Sequence, residues 1–478
     1  MNDLLTTAFS PDGFRQQGHA LIDLLANHLE RAQSGEHNTL NYVPPADMLA
    51  HWQADFAQVT PADPIALWAD MLRYSNHLHN PRFMGHQVSA PLPLAALTSV
   101  LTSILNNGQA VYEMGMTGNA QERIVTNWLC GKLGYGPESG GLLTSGGTLA
   151  NLTALLTARA VAGGSDVWLD GTTNRLAIMV SEEAHYCVDR AARIMGLGTE
   201  GIIKIPTNDR FQMRTELLET ALDAALNNGL TVFAVIGSAC STSTGSYDNL
   251  TEIANFCERH SLWFHVDGAH GGVAALSNTY RPLVRGIERA DSVVVDFHKM
   301  MMIPALVTGV FYRRDDDAFR TFQQKAQYLW ADASAKDWFN SGKRAFECTK
   351  IMLSAKVYTV LRTYGEAIFV QHVEQLYDLA RAFAQHVREQ PGFELAVEPE
   401  SNIVCFRYVG NETDPAQLNA LNNAIRERIL TDGRFYIVQT NLRGHVWLRV
   451  SIMNSLTTLE HLTEMLVMVR ECAEDMAV

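Results

Sequence analysis

The sequence predicts an α/β fold whose mostly parallel sheet is covered by helices on both faces. Between about residues 95 and 315, short apolar runs alternate with amphipathic stretches, and no internal repeat is visible. Continuous apolar runs are typical of strands buried on both faces, as in parallel sheets. With 478 residues, of which 47% are hydrophobic and 18% charged, the chain can also bury a substantial core.

Helical periodicity dominates the amino-terminal region, up to about residue 75. The stretch 18–33 is amphipathic, Pro44 and Pro45 interrupt the pattern, and a further helical stretch passes through Trp52 and Phe56. We assign residues 1–94 to a helical arm. An amphipathic helix must bury its apolar face, so we expect this arm to pack against another surface.

The central and carboxyl-terminal regions supply the strands. Six apolar runs are predicted strands, at 176–180, 202–205, 231–237, 262–266, 292–295 and 307–312. Amphipathic stretches at 216–226 and 250–259 are the helices expected between them. We assign residues 95–364 to a large domain. Residues 365–478 form a small α+β domain in which a long helix precedes two strands, a helix, a hairpin-like pair and a last helix.

Charge and cysteine content exclude several classes of function. Acidic residues outnumber basic ones by 51 to 37, the formal net charge is -14, and no long basic run is present. Nucleic acids and anionic membranes are therefore not expected as partners. We find no export signal and no membrane span. The seven cysteines show neither a CxxC pair nor a metal-ligand spacing, so we expect a cytoplasmic protein with reduced thiols and no metal.

Four candidate functional features are assigned to the carboxyl ends of strands in the central region, where open α/β sheets bind their ligands. The first is the turn formed by Ser145, Gly146 and Gly147, which precedes a helical stretch. Small residues at a helix N-terminus let backbone amides approach a phosphate. Such a turn is also a common helix start, so it is weak evidence alone. It lacks the Gly-Lys-Ser/Thr ending that a nucleotide-binding loop needs for a triphosphate.

The other three features are single side chains. Asp267 ends an apolar run, where a carboxylate needs a cationic or hydrogen-bonding partner, although it could equally cap a turn. Lys299 lies among methionines, and partial burial there would lower its pKa towards that of a nucleophilic amine. The alternative is a lysine that extends from a strand end to solvent. His185 begins a helix, where its ring could stack on a ligand or merely cap the helix.

Together these features describe a phosphate cradle, an anion that can pair with a ring cation, an amine that can form an imine, and an aromatic ring that can stack. Pyridoxal 5′-phosphate (PLP) needs all four, because its chemistry depends on a protonated pyridine nitrogen and on an aldehyde held as an imine.

Five segments resemble the group II PLP-dependent amino-acid decarboxylases, namely TSGGTLANLTAL, SEEAHYCVDRAAR, FHVDGAHGG, DFHKM and NPRFMGHQVSAPLP. Glutamate, cysteine sulfinate, diaminobutyrate and aromatic amino-acid decarboxylases belong to this family. The resemblance covers nearly the whole chain. It implies fold type I, with a mostly parallel seven-stranded sheet in the large domain. It also implies an obligate homodimer, with exchanged amino-terminal arms and active sites at the interface.

The resemblance also implies roles for individual residues. Lys299 would bind PLP as an imine, Asp267 would pair with the pyridine nitrogen, and His185 would stack on the ring. The other expected cofactor contacts are Ser145, Gly146 and His298 at the phosphate with Gly147 in the same turn, Thr242 near the phenolic oxygen, and Ala269 against the ring. The candidate substrate-binding residues are Phe83 and Gln87, in a loop spanning 81–93, and Arg449, whose alternative role is a strand salt bridge.

One position departs from the family pattern. Many members carry, on a loop that reaches the neighbouring subunit's site, a tyrosine that returns a proton to the substrate α-carbon after carbon dioxide leaves. The matching position here is Phe339, and a phenyl ring cannot donate a proton. Either another donor acts, with Tyr328 the nearest candidate, or the carbanion reacts with oxygen, as in the family's aldehyde synthases.

These observations predict a PLP-dependent carboxy-lyase that decarboxylates an L-amino acid, with a small or acidic side chain favoured. One alternative is decarboxylation coupled to oxidative deamination, which yields an aldehyde, ammonia and hydrogen peroxide. A second alternative is a catalytically silent homologue that binds PLP or a partner without turnover. The presence of Lys299, Asp267 and His185 together argues against the silent homologue.

Overall fold

The computed structural model describes residues 3–164, 167–172, 174–322 and 336–476. Contacts between residues divide the chain into two compact units. Unit 1 comprises Met1–His86, Ala382–Ala396 and Cys405–Val478, and unit 2 comprises Gln87–Arg381 and Val397–Val404. The domain boundaries that we placed after residues 94 and 364 stay predictions.

The amino-terminal segment of unit 1 is helical. Its helices are α1 (Leu4–Ala8), α2 (Pro11–Gln33), α3 (Pro45–Phe56) and α4 (Pro64–Arg73). Helix α2 begins at Pro11 rather than at residue 18, because a proline is well tolerated in the first turn and Ser10 accepts a capping hydrogen bond from the Gly13 amide. Several large apolar side chains of this segment are exposed, among them Leu4, Phe9 and Phe56.

Unit 2 is built on a seven-stranded sheet. Its strands are β1 (Gly140–Thr144), β2 (Leu176–Ser181), β3 (Ile202–Ile205), β4 (Thr231–Ser238), β5 (Trp263–Asp267), β6 (Ser292–Asp296) and β7 (Thr308–Tyr312), in the spatial order β1-β7-β6-β5-β4-β2-β3. Neighbouring strands from β3 to β6 pair in parallel, whereas β7 is antiparallel to both β6 and β1. The predicted fold class is confirmed. Strand β7 runs the other way because the described segment 297–307 contains no crossover helix.

The six predicted strands correspond to β2 to β7, and their ends differ from the prediction by one residue at most. The prediction missed β1, whose sequence GGLLT begins with two glycines. A Cβ added at Gly141 would lie 2.6 Å from the backbone oxygen of Val310 on the paired strand β7. The glycine therefore permits a close approach between two strands, at the cost of the apolar signal by which the other strands were recognised.

Helices cover the sheet of unit 2. They are α5 (Pro93–Leu105), α6 (Met116–Leu133), α7 (Gly147–Ala162), α8 (Val167–Asp170), α9 (Tyr186–Ile194), α10 (Leu218–Asn227), α11 (Leu250–His260) and α12 (Leu353–Tyr364). Helix α7 packs across β1 and β4 to β7 and against α9. Its Ala154, Leu155 and Ala158 are fully buried in the core. This burial fixes the helix, whose first turn lies where β1 ends.

The carboxyl-terminal part begins with α13 (Ala367–Glu389), which runs from unit 2 into unit 1. The elements that follow are β8 (Phe393–Leu395), β9 (Ile403–Tyr408), α14 (Pro415–Asp432), β10 (Val438–Leu442), β11 (His445–Ser451) and α15 (Leu459–Met476), all in unit 1 except the first two residues of β9. The sheet order is β10-β11-β9-β8, and the β10/β11 and β8/β9 pairs are antiparallel. Helix α14 packs on β11 and on α15. Among the described residues, no helix is both long and apolar enough to cross a membrane.

Candidate active site

A cavity of about 480 Å³ lies in unit 2, beside the carboxyl ends of β1, β5 and β6. This volume is typical of small-molecule sites. All the residues that we expected to contact the cofactor line it: Ser145, Gly146, Gly147, His185, Thr242, Asp267, Ala269, His298 and Lys299. Of the predicted substrate residues, Phe83 and Arg449 belong to unit 1, and Gln87 is not among the residues that line this cavity.

Lys299 lies beside a carboxylate that the sequence analysis did not consider. Its Nζ is 3.0 Å from Oδ2 of Asp296, the last residue of β6. Burial alone would lower the pKa of Lys299, but Asp296 and, after it, Asp267 hold that pKa above its ordinary value. The expectation of a lowered lysine pKa is therefore wrong, because the neighbouring charge outweighs burial.

Asp296 is itself almost completely buried, with 2% of its side chain exposed. Burial alone would raise its pKa, but Lys299, His298 and a hydrogen bond from the Thr308 hydroxyl lower it. The Nε2 atom of His298 is 3.8 Å from Asp296 Oδ2. The motif DFHKM contained the signal for this group, because it places a carboxylate at the strand end three positions before the lysine.

The predicted phosphate cradle is the start of α7. Gly146 has a φ of +119°, a conformation that side chains disfavour, and Gly147 is the first residue of the helix. A Cβ added at Gly147 would lie 3.3 Å from both carboxylate oxygens of Asp296 and 3.7 Å from the Cβ of Ala269. The glycines therefore leave open a space at a helix N-terminus, where an anionic group is favoured.

His185 and Asp267 both take the local structural roles that we considered as alternatives. The Nδ1 atom of His185 accepts a hydrogen bond of 3.3 Å from the Cys187 amide and so caps α9. Asp267 Oδ1 accepts one of 3.2 Å from the Ala269 amide. Both side chains also line the cavity. Burial lowers the pKa of His185, which favours a neutral ring that can pack on an aromatic cofactor.

A buried hydrogen-bond network connects the cradle to the neighbouring strands of the sheet. His265 Nε2 lies 2.8 Å from Asn151 Oδ1, and Asn151 Nδ2 donates to the Gly147 carbonyl at 2.9 Å. On its other side, His265 Nδ1 lies 2.8 Å from the Ser292 hydroxyl. Burial lowers the pKa of His265 to about 4, so the ring is neutral at pH 7. The network ties the first turn of α7 to strands β5 and β6.

The segment 340–350 is fastened along β1, the strand that leads to the cradle. Three side chains of the segment make the contacts: Arg344 donates to the Gly141 carbonyl at 3.0 Å, Glu347 accepts from the Ser145 hydroxyl at 2.5 Å, and Lys350 donates to the Leu143 carbonyl at 2.6 Å. Lys350 also pairs with buried Glu122 at 2.7 Å. Nothing in the motifs links this segment to β1, so these contacts were not predicted.

Phe339 lies just before this fastened segment. Its ring packs edge-on against Tyr112, with 5.6 Å between the ring centroids. The Asn340 side chain accepts a hydrogen bond of 3.0 Å from the Tyr112 amide, which holds the two segments together. The other candidate proton donor, Tyr328, lies outside the described residues.

The predicted substrate-binding segment, 81–93, belongs to unit 1 as far as His86, and this first part is densely packed. Phe83 stacks on Tyr436, with 4.8 Å between centroids and 7° between ring planes. Arg449 lies on β11 opposite Val438 and is 6% exposed. Burial, followed by the charges of Arg449 and Arg426, lowers the pKa of His86. Two arginines of unit 1 thus lie within electrostatic reach of His86.

The residues that line the cavity fit PLP. An amine, a carboxylate and an imidazole share one cavity with a helix N-terminus, and glycines keep that terminus open where a Cβ would fill it. These groups match the aldehyde, pyridine nitrogen, ring face and phosphate of the cofactor.

Comparisons with known proteins agree with this fit. Residues 66–409 match the family described as the pyridoxal-dependent decarboxylase conserved domain. The chain is 30% identical over 451 residues to the aspartate 1-decarboxylase of Aliivibrio fischeri, covering 84% of this chain and 81% of that protein. It is 25% identical over 475 residues to the aromatic-L-amino-acid decarboxylase of Bacillus atrophaeus, covering 98% and 97%. The crystal structure of mouse CSAD matches with a TM-score of 0.91 at 24% identity, covering 98% and 100%, and shares the fold.

Proposed function

The chain belongs to the pyridoxal-dependent decarboxylase family, and from that premise we propose that it removes the α-carboxylate of a small or acidic L-amino acid and releases the amine. It is a PLP-dependent amino-acid decarboxylase, and hence a carboxy-lyase. The observation that carries the proposal is the convergence of Lys299, Asp267 and His185 with a glycine cradle in one cavity. When bound, PLP supplies a cationic ring that stabilises the negative charge left at the α-carbon when carbon dioxide departs.

In this proposal, each residue that contacts the cofactor has a defined task. Lys299 binds the cofactor aldehyde through Nζ. Asp267 holds a proton at the pyridine nitrogen, and the neutral ring of His185 packs on the cofactor face. Ser145 and the first amides of α7 hold the phosphate, and Thr242, Ala269 and His298 complete the contacts, all of them residues that line the cavity.

Support for an acidic substrate comes from two sides. The 30% identical relative is named for aspartate. In unit 1, burial and then the charges of Arg449 and Arg426 lower the pKa of His86, so two arginines lie within electrostatic reach of the substrate segment. We assign Phe83 and Gln87 to the wall of the substrate site and Arg449 to a substrate carboxylate.

A substrate panel tests this proposal. The purified enzyme with PLP should release carbon dioxide from aspartate, glutamate or cysteine sulfinate faster than from tyrosine or tryptophan. Arg449→Gln should raise KM for the acidic substrates, since it removes a charge that binds a carboxylate, whereas Arg443→Gln on the neighbouring β10–β11 turn should not. Turnover of aromatic amino acids alone would contradict the acidic preference.

The aldehyde-forming reaction is a second candidate, favoured by Phe339. Without a phenol at this position, protonation of the α-carbon slows, and oxygen can oxidise the carbanion. The products are then an aldehyde, ammonia and hydrogen peroxide. We expect measurable peroxide beside the amine, and Phe339→Tyr should shift the product ratio towards the amine. Phe346→Tyr, in the adjoining segment 340–350, is the control. Stoichiometric amine without peroxide would exclude this candidate.

We further propose that the protein is a homodimer, and that Leu4, Phe9 and Phe56 are buried against a second copy of the chain. Each of these exposed side chains belongs to the amino-terminal arm. A cytoplasmic location stays a prediction. The scattered cysteines, six of them buried and Cys348 exposed, are consistent with a reducing compartment.

A further inference from the structure

We propose that Asp296 is a positioning residue that holds Lys299 as an ammonium group, so that a proton is stored at Nζ whenever the lysine is free. This inference rests on the proposed function, in which Lys299 is the residue that binds PLP. Two carboxylates, Asp267 and Asp296, line the described cavity, and only Asp267 had a predicted role. The inference assigns a task to Asp296.

The two charged groups are in direct contact and largely buried. The distance from Nζ to Asp296 Oδ2 is 3.0 Å, and the exposed fractions of the two side chains are 21% and 2%. Attraction between charges is much stronger in such surroundings than in water. Removing one partner would leave the other buried and uncompensated, which strongly favours keeping both groups charged.

Asp296 is held in place by groups other than the lysine. The Thr308 hydroxyl donates a hydrogen bond to its Oδ1, and its backbone amide bonds to the Ala269 carbonyl at 3.1 Å. The start of α7 closes over both carboxylate oxygens, since a Cβ at Gly147 would lie 3.3 Å from each of them. The carboxylate is therefore fixed whether or not Lys299 is engaged elsewhere.

The other titratable groups around the pair support the same charge state. Burial lowers the pKa of Lys299, but Asp296 and, after it, Asp267 on β5 raise it, whereas burial raises the pKa of the Cys187 thiol and keeps that group neutral. His298 faces Asp296 from 3.8 Å, and His185 lies within the electrostatic reach of Lys299. Two carboxylates thus lie near one ammonium group, and burial, which lowers the pKa of His185, disfavours a competing positive charge on that ring.

The stored proton has two consequences. Imine formation needs the neutral amine, so the proton at Nζ must first leave to solvent. Because only a small fraction of Lys299 is neutral at neutral pH, the rate of imine formation is low there. Conversely, when a substrate amine has displaced Lys299, Asp296 favours the return of a proton to Nζ. That proton is then present in the cavity of a chain in which Phe339 cannot supply one.

The test measures imine formation at Lys299 in the full-length protein after its cofactor has been removed. The rate is followed by visible absorbance across the neutral and alkaline pH range, with PLP and separately with pyridoxal, which has no phosphate. Borohydride reduction and peptide mass analysis identify the labelled lysine. In Asp296→Asn the rate should rise at neutral pH, by about tenfold for each unit by which the lysine pKa falls, and should level off at a lower pH.

Asp291→Asn is the matched control. Asp291 precedes the same strand at its opposite end and pairs with Arg313, so this substitution removes the same charge without touching Lys299. Its pH profile should coincide with that of the wild type. Circular dichroism checks that both variants are folded.

The outcomes separate this inference from the proposed function. The inference is supported if, with both PLP and pyridoxal, the rate in Asp296→Asn reaches its plateau at a lower pH than in the wild type. A change seen with PLP but not with pyridoxal would show that Asp296 acts on the phosphate, and it would overturn the inference, as would an unchanged profile with the label on Lys299. A label on another lysine would instead refute the proposed function. If Asp296→Asn does not fold, the wild-type profile decides, since a plateau at neutral pH would contradict a stored proton.

Discussion

The cofactor cavity of unit 2 and the amino-terminal arm of unit 1 differ in whether their side chains have partners within the same unit. Asp296 and Lys299 in the cavity, and His265 behind it, each have partners within the same unit. In the arm, Phe9 and Phe56 are 83% and 92% exposed. Exposed aromatic rings of this kind usually mark a surface that another molecule covers. The comparison teaches that the side chains around Lys299 find their partners within one unit, whereas the arm leaves large apolar side chains exposed.

The largest expected effect tests the self-contained cavity. Asp267→Asn should lower kcat by about 10²–10⁴-fold, because a neutral amide cannot hold the proton at the pyridine nitrogen. The amide oxygen of asparagine can still accept the hydrogen bond from Ala269, so the fold should survive. Steady-state kinetics and circular dichroism measure the two effects. Wild-type turnover in this variant would reduce Asp267 to a turn residue.

Asp189→Asn is the control for this variant. Asp189 pairs with Lys204 at the surface of unit 2, and both side chains are about one-third exposed. A comparable loss of activity in this control would show that the effect is not specific to Asp267.

The next effect tests the incomplete arm. A double substitution, Phe9→Glu with Phe56→Glu, should raise the dimer dissociation constant by about 100-fold or more, because each buried aromatic side chain contributes about 1.5–3 kcal/mol. Analytical ultracentrifugation measures the constant. Leu226→Glu, at a 56% exposed position of α10, is the control. An unchanged mass distribution in the double variant would place the interface elsewhere.

A smaller effect concerns the network behind the cradle. The pKa of His265 is about 4 in the folded protein, against an ordinary value of 6.5. The unfolded chain therefore binds more protons between these values, so stability falls as pH falls through 6.5 towards 4. At pH 5 this group should cost about 2 kcal/mol of the free energy of unfolding relative to pH 7.

His265→Gln isolates this contribution, because glutamine retains a donor and an acceptor but does not titrate. Melting temperatures at pH 7 and pH 5 should differ less in the variant than in the wild type. His28 and His372, whose pKa values are also lowered to about 4, are unchanged in both proteins and cancel in the comparison. Equal pH dependence in the two proteins would show that His265 is not the responsible group.

Much of the fold follows from local pattern. Buried parallel strands need continuous apolar runs, so the sequence predicted β2 to β7 to within one residue at each end. Strand β1 escaped because Gly140 and Gly141 replace apolar side chains where two backbones approach closely. Helix α2 begins earlier than predicted because Ser10 and Pro11 form its start, a signal carried by capping rather than by periodicity.

For the candidate site, the sequence predicted which residues line the cavity but not the charge interactions and long-range hydrogen bonds around them. Motifs identified every residue that we expected at the cofactor, and all of them line one cavity. The pKa of Lys299 was predicted in the wrong direction, since burial can be inferred from neighbouring apolar residues but the distance to a charge cannot. The bonds of Arg344 and Lys350 to β1 join positions far apart in the chain, and only the tertiary structure reveals them.

The measurement that tests the central claim most directly is the chemical location of the cofactor. The purified protein, supplied with PLP, should show the visible absorbance of an imine, and borohydride should attach the cofactor to the peptide that contains Lys299. Lys204→Ala, which removes a surface lysine of the same unit, should leave the label in place, whereas Lys299→Ala should abolish it. A label on any other lysine of the wild-type protein, or the absence of an imine band, would contradict the account.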